Sequence, residues 1–121
     1  MAYRISKEFH FSASHQLDAL PEGHKCGRLH GHNYVVELEL EAEEDGLDKA
    51  GFVRDYGDLS VFGSWLEREV DHRHLNDLLT DRNPSAENLC RWIFERWERE
   101  LPELSSVRVS ETAKTWAEYR R

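Results

Sequence analysis

The feature that most constrains the fold is the alternation of apolar and polar residues in HNYVVELELEAE, residues 32–43. Apolar side chains occupy the even positions from 34 to 42, and glutamates occupy positions 37, 39 and 41. Because successive side chains of a strand point to opposite faces, this pattern predicts a strand with one buried face. The segment YRISKEFHFSASH, residues 3–15, alternates in the same way with Lys7 as its one interruption. The Pro- and Gly-containing stretch between the two segments predicts a long hairpin connection, and therefore antiparallel pairing.

Two helices and further strands follow. Asp58 is a candidate N-cap for a helix with apolar residues at one side, and Ser85 is a candidate N-cap for a second helix that Pro102 would end. The stretch GFVRDY, residues 51–56, suggests an extended edge segment, while SSVRVSET and AEYRR near the C-terminus suggest two strands. The element order is therefore ββααββ. It predicts one α+β domain over residues 1–121, a four-stranded antiparallel sheet with two helices on one face.

Composition limits the classes of partner and the cellular compartment. The formal net charge of −8 argues against general nucleic-acid binding, which needs a basic surface. No stretch has the roughly 20 apolar residues of a membrane helix, and the N-terminus lacks a signal-peptide pattern, so we expect a cytoplasmic protein. A disulfide between Cys26 and Cys90 is not expected in that compartment. The two free edges of the predicted sheet favour coverage by, or pairing with, another subunit.

Three histidines are spaced for a metal ion. His30 and His32 lie two residues apart on a predicted strand, so both side chains point to the same face. Hairpin pairing would bring His15, at the end of the first strand, beside the start of the second strand. His10 has the opposite parity to His15 and is expected to be a sheet or surface histidine and not a ligand. Three imidazoles and no obvious fourth ligand describe an open zinc site, although an HxH pair also occurs by chance.

Cys26 precedes this pair by four residues and has two interpretations. It could be a fourth ligand that closes a structural zinc site, or a thiolate base beside the metal ion. Its neighbours His24, Lys25 and Arg28 form a local basic patch, which is either a solvated loop or a contact for a small anionic molecule.

Other candidate residues lie farther along the chain. Asp71 and His72 offer a carboxylate and an imidazole at a helix end, where they could relay a proton or simply be exposed; His74 is equally ambiguous. Glu111 ends a predicted strand. It is either solvated or an acceptor of two parallel N–H bonds from a heterocycle.

The combination of motifs is more specific than its parts. FSASH, PEGHKCGRLHGHNY, DHRHLN, NPSAENL and VSET occur in this order, and together they resemble the 6-pyruvoyltetrahydropterin synthase family. The four-residue spacing from cysteine to HGH resembles the bacterial branch that forms 6-carboxytetrahydropterin in queuosine biosynthesis. The resemblance covers nearly the whole chain. It implies the tunnelling fold, a ββααββ unit that assembles into a hexamer of two stacked trimers with active sites between subunits.

The resemblance also assigns roles. It implies His15, His30 and His32 as zinc ligands, Cys26 as the catalytic base, Asp71 and His72 as its proton relay, and Glu111 as the anchor of the pterin ring. The implied substrate is 7,8-dihydroneopterin triphosphate, and Lys25 and Arg28 are our candidates for triphosphate contacts. A pyruvoyl-forming or folate-pathway enzyme with the same substrate is an alternative, and a non-catalytic zinc-stabilised interaction module is a remote one.

Overall fold

The computed structural model describes residues 1–121 and contains one five-stranded sheet and two α-helices. The strands are β1 (Ala2–His15), β2 (His30–Glu43), β3 (Arg73–His74), β4 (Leu104–Thr112) and β5 (Thr115–Arg120). The helices are α1 (Ser60–Glu69) and α2 (Ala86–Trp97). The sheet order is β3-β1-β2-β4-β5, and every neighbouring pair is antiparallel except β3 with β1. No helix is long and apolar enough to cross a membrane.

The predicted α+β architecture is confirmed, with one strand more than predicted. The four long strands are the ones that the alternation predicts, and both helices pack on one face of their sheet. The additional strand, β3, consists of two residues that pair with Ala13 and Ser14 of β1. Two residues are too few to carry a period, so sequence reasoning could not detect this strand.

Two predictions about the segment before α1 are wrong. Residues 51–56 form bends and the start of a turn, and no strand. Asp58 does not cap α1: the side chain of Asp55 accepts from Gly57 N at 2.8 Å and begins a 3-10 turn over Tyr56–Leu59, which leads directly into α1. The predicted cap of α2 is confirmed, since the Ser85 hydroxyl accepts from Asn88 N at 3.2 Å.

The core lies between the helices and one face of the sheet. Val36, Leu38 and Leu40 on β2 are fully buried, and they pack with the apolar sides of both helices. Each such side chain stabilises the fold by about 1.5–3 kcal/mol relative to an exposed position. Phe62 on α1 lies with its ring centroid 4.9 Å from that of Phe9 on β1. The sheet face that carries this core also carries the histidines at its far end.

Candidate metal centre and surrounding site

The histidine cluster is created by the register of the β1–β2 hairpin. His15 pairs with His30 and Ala13 pairs with His32, at the last rungs of the ladder. The side chains of His30 and His32 share the parity of Val36, and that of His15 shares the parity of the buried Phe11. All three imidazoles therefore extend the core-facing surface of the sheet to its end.

The three rings surround a common point. His15 Nε2 lies 2.9 Å from His30 Nε2, and one ligand atom from each of the three histidines lies within 4.8 Å of the others. The ring centroids are separated by 4.5, 4.9 and 5.1 Å, with the rings steeply inclined to one another. His15 is fully buried, and the other two rings are half-buried. This is the only such group of histidine, cysteine or acidic side chains in the chain.

Backbone carbonyls orient two of the rings. His15 Nδ1 lies 2.7 Å from the carbonyl oxygen of Pro84, and His30 Nδ1 lies 2.7 Å from that of Arg28. A carbonyl can only accept, so both Nδ1 atoms carry the proton and both Nε2 atoms keep a free lone pair. Metal-bound histidines are commonly held in this way. Three imidazoles with lone pairs aimed at one point fit a transition-metal ion that keeps an open coordination position.

The electrostatics of the cluster favour neutral ligands. Burial lowers the pKa of His32, and the neighbouring His15 and His30 lower it further, against the opposing effect of Glu111. A lower pKa keeps this imidazole unprotonated and able to bind a metal ion near neutral pH. Burial, together with the charge of Glu111, raises the pKa of Tyr34, so its hydroxyl stays protonated. That hydroxyl lies 3.3 Å from His15 Nδ1.

Glu111 lies next to the cluster at the end of β4. Its Oε2 atom is 3.7 Å from His32 Nε2. The same carboxylate lines a cavity between the first turn of α2 and β5, together with Glu87 and Trp116. One half-buried acceptor thus faces both the imidazoles and an open space that could hold a ligand.

Cys26 lies beside the strands and outside the histidine group. It is the central residue of a 3-10 turn over Lys25–Gly27 and is half-buried. Its thiol is not among the ligand atoms of the cluster. The adjacent Lys25 and Arg28 side chains are exposed, and the ring of His24 accepts from the Cys26 amide at 3.1 Å.

Asp71 and His72 lie on the other side of β1. Asp71 Oδ1 accepts from Ser12 N at 2.8 Å, and Ser12 O accepts from His72 N at 2.6 Å, both on the β1 edge that faces away from β2. The hydrogen bond from the Ser12 amide is the main cause that lowers the pKa of Asp71, and the hydrogen bond with the His72 side chain lowers it further. His72 Nδ1 is 2.8 Å from Asp71 Oδ2, and its side chain is 81% exposed. No hydrogen bond or ion pair joins this pair to the histidine cluster of the same chain.

The backbone at His72 is unusual. Its φ of 59° lies in the left-handed region of the backbone, which residues other than glycine rarely adopt. The hydrogen bond from its amide to Ser12 holds this conformation and directs the ring outward. His74 lies nearby and its Nδ1 is 2.9 Å from the hydroxyl of Ser14.

Sequence reasoning overlooked the groups that support the site. The carbonyls of Pro84 and Arg28 have no signature in a sequence, because any residue can supply them. Tyr34 could have been found, since it has the same parity as His30 and His32 and follows them directly.

The comparisons with known proteins agree with this geometry. Residues 4–121 match the model of the family described as 6-pyruvoyl tetrahydropterin synthase. The 6-carboxy-5,6,7,8-tetrahydropterin synthase of Haemophilus influenzae is 32% identical over 143 residues, covering 97% of this chain and 98% of the relative. The dihydroneopterin monophosphate aldolase of Pyrococcus furiosus is 33% identical over 102 residues, covering 84% and 81%.

Among solved structures, the 6-pyruvoyl tetrahydropterin synthase of Caenorhabditis elegans superposes with a TM-score of 0.85 at 27% identity. The alignment covers 100% of this chain and 96% of that chain. Fold, motif order and full-length family match all agree: the chain belongs to the 6-pyruvoyl tetrahydropterin synthase family of pterin-processing lyases.

Proposed function

We propose that this protein is a zinc-dependent 6-carboxy-5,6,7,8-tetrahydropterin synthase that acts in queuosine biosynthesis. Its substrate is 7,8-dihydroneopterin triphosphate, and its products are the 6-carboxy pterin, acetaldehyde and triphosphate. The observation that carries the proposal is the convergence of His15, His30 and His32 beside Glu111, because it combines a metal-binding set with an acceptor for a heterocycle.

Two further observations favour the carboxy-forming branch over its relatives. Cys26 precedes HGH by four residues, the spacing that resembles this branch. The carboxy-forming relative from Haemophilus influenzae also aligns over nearly the full length of both chains, whereas the aldolase of similar identity aligns over less of each.

Zinc is the metal ion that the donor set favours. Three neutral imidazoles suit zinc better than magnesium or calcium, which prefer oxygen ligands. When bound, zinc supplies a Lewis acid that lowers the pKa of the hydroxyl groups on the substrate side chain. His15, His30 and His32 would hold the ion, and the carbonyls of Pro84 and Arg28 leave the Nε2 atoms of His15 and His30 free to bind it.

Glu111 and Cys26 act on different parts of the substrate. The Glu111 carboxylate accepts two parallel N–H bonds from the aminopyrimidine edge of the pterin, which places the side chain over the metal centre. Cys26, as thiolate, removes a proton from that side chain. A base must lie near the metal ion without binding it, and the position of Cys26 outside the histidine group is consistent with this role.

Asp71 and His72 relay the proton, and we assign them to the site of a neighbouring copy. The His72 imidazole is exposed and the Asp71 carboxylate is half-buried. Neither forms a hydrogen bond or an ion pair with the histidines of its own chain, so a relay within one chain lacks a contact. A hexamer of two stacked trimers, with sites between subunits, supplies that contact. Lys25 and Arg28 bind the triphosphate through exposed cationic groups.

The reaction balances without an external oxidant or reductant. The dihydropterin ring gains two electrons and two protons, while the side chain is oxidised and its first carbon becomes the carboxylate. One water is consumed, the bond between the first and second side-chain carbons breaks, and the second and third carbons leave as acetaldehyde. Triphosphate departs from the third carbon with its bridging oxygen.

Product analysis after incubation with 7,8-dihydroneopterin triphosphate tests the proposal. We expect 6-carboxytetrahydropterin and acetaldehyde in equal amounts, measured by mass spectrometry and by an alcohol dehydrogenase assay. A pyruvoyl pterin without acetaldehyde would identify the pyruvoyl-forming activity, and a 6-hydroxymethyl pterin would identify an aldolase. Either result contradicts the carboxy assignment.

The Cys26→Ala variant distinguishes a catalytic site from a structural one. We expect its zinc content to equal that of the wild type while turnover is lost. Loss of zinc in this variant would make Cys26 a ligand. Unfolding of the wild type upon chelation, with no turnover in the metal-loaded protein, would instead indicate a zinc-stabilised interaction module.

A further inference from the structure

The long connection between β1 and β2 is held in place by two asparagines from elsewhere in the chain. Residues 16–29 join the two strands, and they contain only the short 3-10 turn at Cys26. A connection of this length is usually functional or mobile, so the position of Cys26 depends on what anchors it. The anchors are the side chains of Asn76 and Asn83.

Each asparagine binds one residue of this connection with two hydrogen bonds. Asn76 Oδ1 accepts from Gln16 N at 2.9 Å, and Asn76 Nδ2 donates to Gln16 O at 2.7 Å. Asn83 does the same to Asp18, with both distances at 2.9 Å. A carboxamide has a donor and an acceptor in one plane, as a peptide group has, so each side chain can bind the N–H and the C=O of one residue at once. We call Asn76 and Asn83 the asparagine clamp.

The clamped segment in turn holds the turn that carries Cys26. Leu17, which lies between the two clamped residues, donates its amide to Cys26 O at 3.1 Å. The side chain of Gln16 donates to the carbonyl of Gly27 at 3.0 Å. The carbonyls of Cys26 and Gly27, which follow the thiol along the backbone, are therefore held by residues in the segment that the clamp fixes.

The other ends of the clamp lie close to the remaining site residues. Asn76 follows β3 and is four residues after His72. Asn83 precedes Pro84, whose carbonyl orients His15, and Asn83 O accepts from Asn88 Nδ2 on α2 at 2.9 Å. The clamp thus connects the cysteine turn to the Asp71–His72 segment on one side and to the histidine anchor on the other.

We infer that Asn76 and Asn83 are positioning residues that set the place of the Cys26 thiol relative to the metal centre. The inference rests on the catalytic role proposed above for Cys26. An error of about 1 Å in the position of a reacting group can cost as much as 100-fold in rate, so loss of a clamp should lower kcat more than it changes KM.

Alkylation of native protein by iodoacetamide tests the inference without requiring turnover. The chain has two cysteines, Cys26, which is half-buried, and Cys90, which is fully buried. Peptide mapping by mass spectrometry gives the rate at each thiol, and labelling of Cys90 reports global unfolding. We expect Asn76→Ala and Asn83→Ala each to raise the Cys26 rate about tenfold, because local opening exposes the thiol, while Cys90 stays unlabelled.

Two variants serve as controls. Asp48→Ala removes a side chain that accepts from Ala50 N and Phe52 N at 2.9 Å each, so it releases another connection of the chain with the same number of bonds. It should leave the Cys26 rate and kcat unchanged. Asn76→Asp keeps the acceptor for Gln16 N and loses the donor for Gln16 O, and its rate should fall between those of Asn76→Ala and the wild type.

The inference is overturned if both alanine variants alkylate at Cys26 within about twofold of the wild type, or only in parallel with Cys90. If Asn76→Ala does not fold, the Cys26 alkylation rate of Asn76→Asp is compared with the wild type by the same criterion of about twofold. Alkylation separates this inference from the proposed function. If the asparagine variants alkylate faster at Cys26 but the wild-type protein has no lyase activity, the clamp is upheld and the proposed function is refuted. If the variants alkylate at the wild-type rate and the wild-type protein is an active lyase, the function is upheld and the clamp is refuted.

Discussion

The two sides of the β1 terminus carry very different groups. On the side of β2 lie the imidazoles of His15, His30 and His32, buried or half-buried and oriented by backbone carbonyls. On the side of β3 lie Asp71 and His72, of which the imidazole is 81% exposed. On the β2 side, one chain alone supplies all three histidines of the cluster. On the β3 side, the imidazole of His72 points to the outside of the chain.

The difference shows that two kinds of interaction position the side chains on the two sides of β1. The histidine cluster is a continuation of the core, and its geometry follows from strand register and from burial. The Asp71–His72 pair depends on a left-handed residue and on two hydrogen bonds to Ser12, and it is directed away from its own core. Our proposal that the two groups act together therefore requires a second copy of the chain.

The largest effect is expected from removal of a cluster histidine. His30→Ala should lose the bound metal ion and lower kcat/KM by about 1,000-fold or more, since a missing ligand removes both the ion and the Lewis acid. Metal content measured by inductively coupled plasma mass spectrometry, with turnover, checks this. His10→Ala, an exposed histidine on β1, is the matched control and should keep both. Full metal content in His30→Ala would remove His30 from the ligand set.

Mixing two inactive variants tests whether the sides of β1 act in different copies. Cys26→Ala and His72→Ala should each be inactive alone. After the two are unfolded together at equal amounts and refolded, about one quarter of the sites should contain both intact residues and regain activity, because random assembly pairs the copies independently. A mixture without activity, from subunits that assemble normally by size-exclusion chromatography, would place all catalytic groups in one chain.

Asp71 and His72 are both candidates from the sequence, but only the placement of the three histidines could be predicted from it, and that of Asp71 and His72 could not. The alternation in residues 3–15 and 32–43 fixes which side chains share a face, and the hairpin fixes His15 opposite His30. The hydrogen bond from Ser12 that places Asp71 joins residues 59 positions apart, and no periodic pattern in the sequence predicts it. For the same reason the pairing of β3, and the bonds made by Asn76, are visible only in the folded chain.

A smaller effect is expected at Gly31, which separates His30 from His32. A Cβ atom there would lie 3.1 Å from the carbonyl oxygen of Ala13, so the β1–β2 ladder would have to widen beside the cluster. Gly31→Ala should destabilise the fold by about 1–3 kcal/mol and weaken metal binding, as measured by urea unfolding and by chelator competition. Gly23→Ala introduces strain without such a contact, since its φ is +83°. It should reduce stability while metal affinity remains unchanged.

The smallest effect concerns the ionisation of Asp71. The Ser12 amide, and after it His72, lower the pKa of this carboxyl group. The folded state therefore keeps Asp71 ionised below the ordinary aspartate value of about 3.9, and the associated stabilisation is present above that pH and lost as pH falls through the folded pKa. Carbon-detected NMR titration should show the low value in the wild type. His72→Ala should raise it only in part, because the Ser12 hydrogen bond remains. A return to the ordinary value in that variant would mean that the imidazole, and not the strand edge, holds the carboxylate on the outer side of β1.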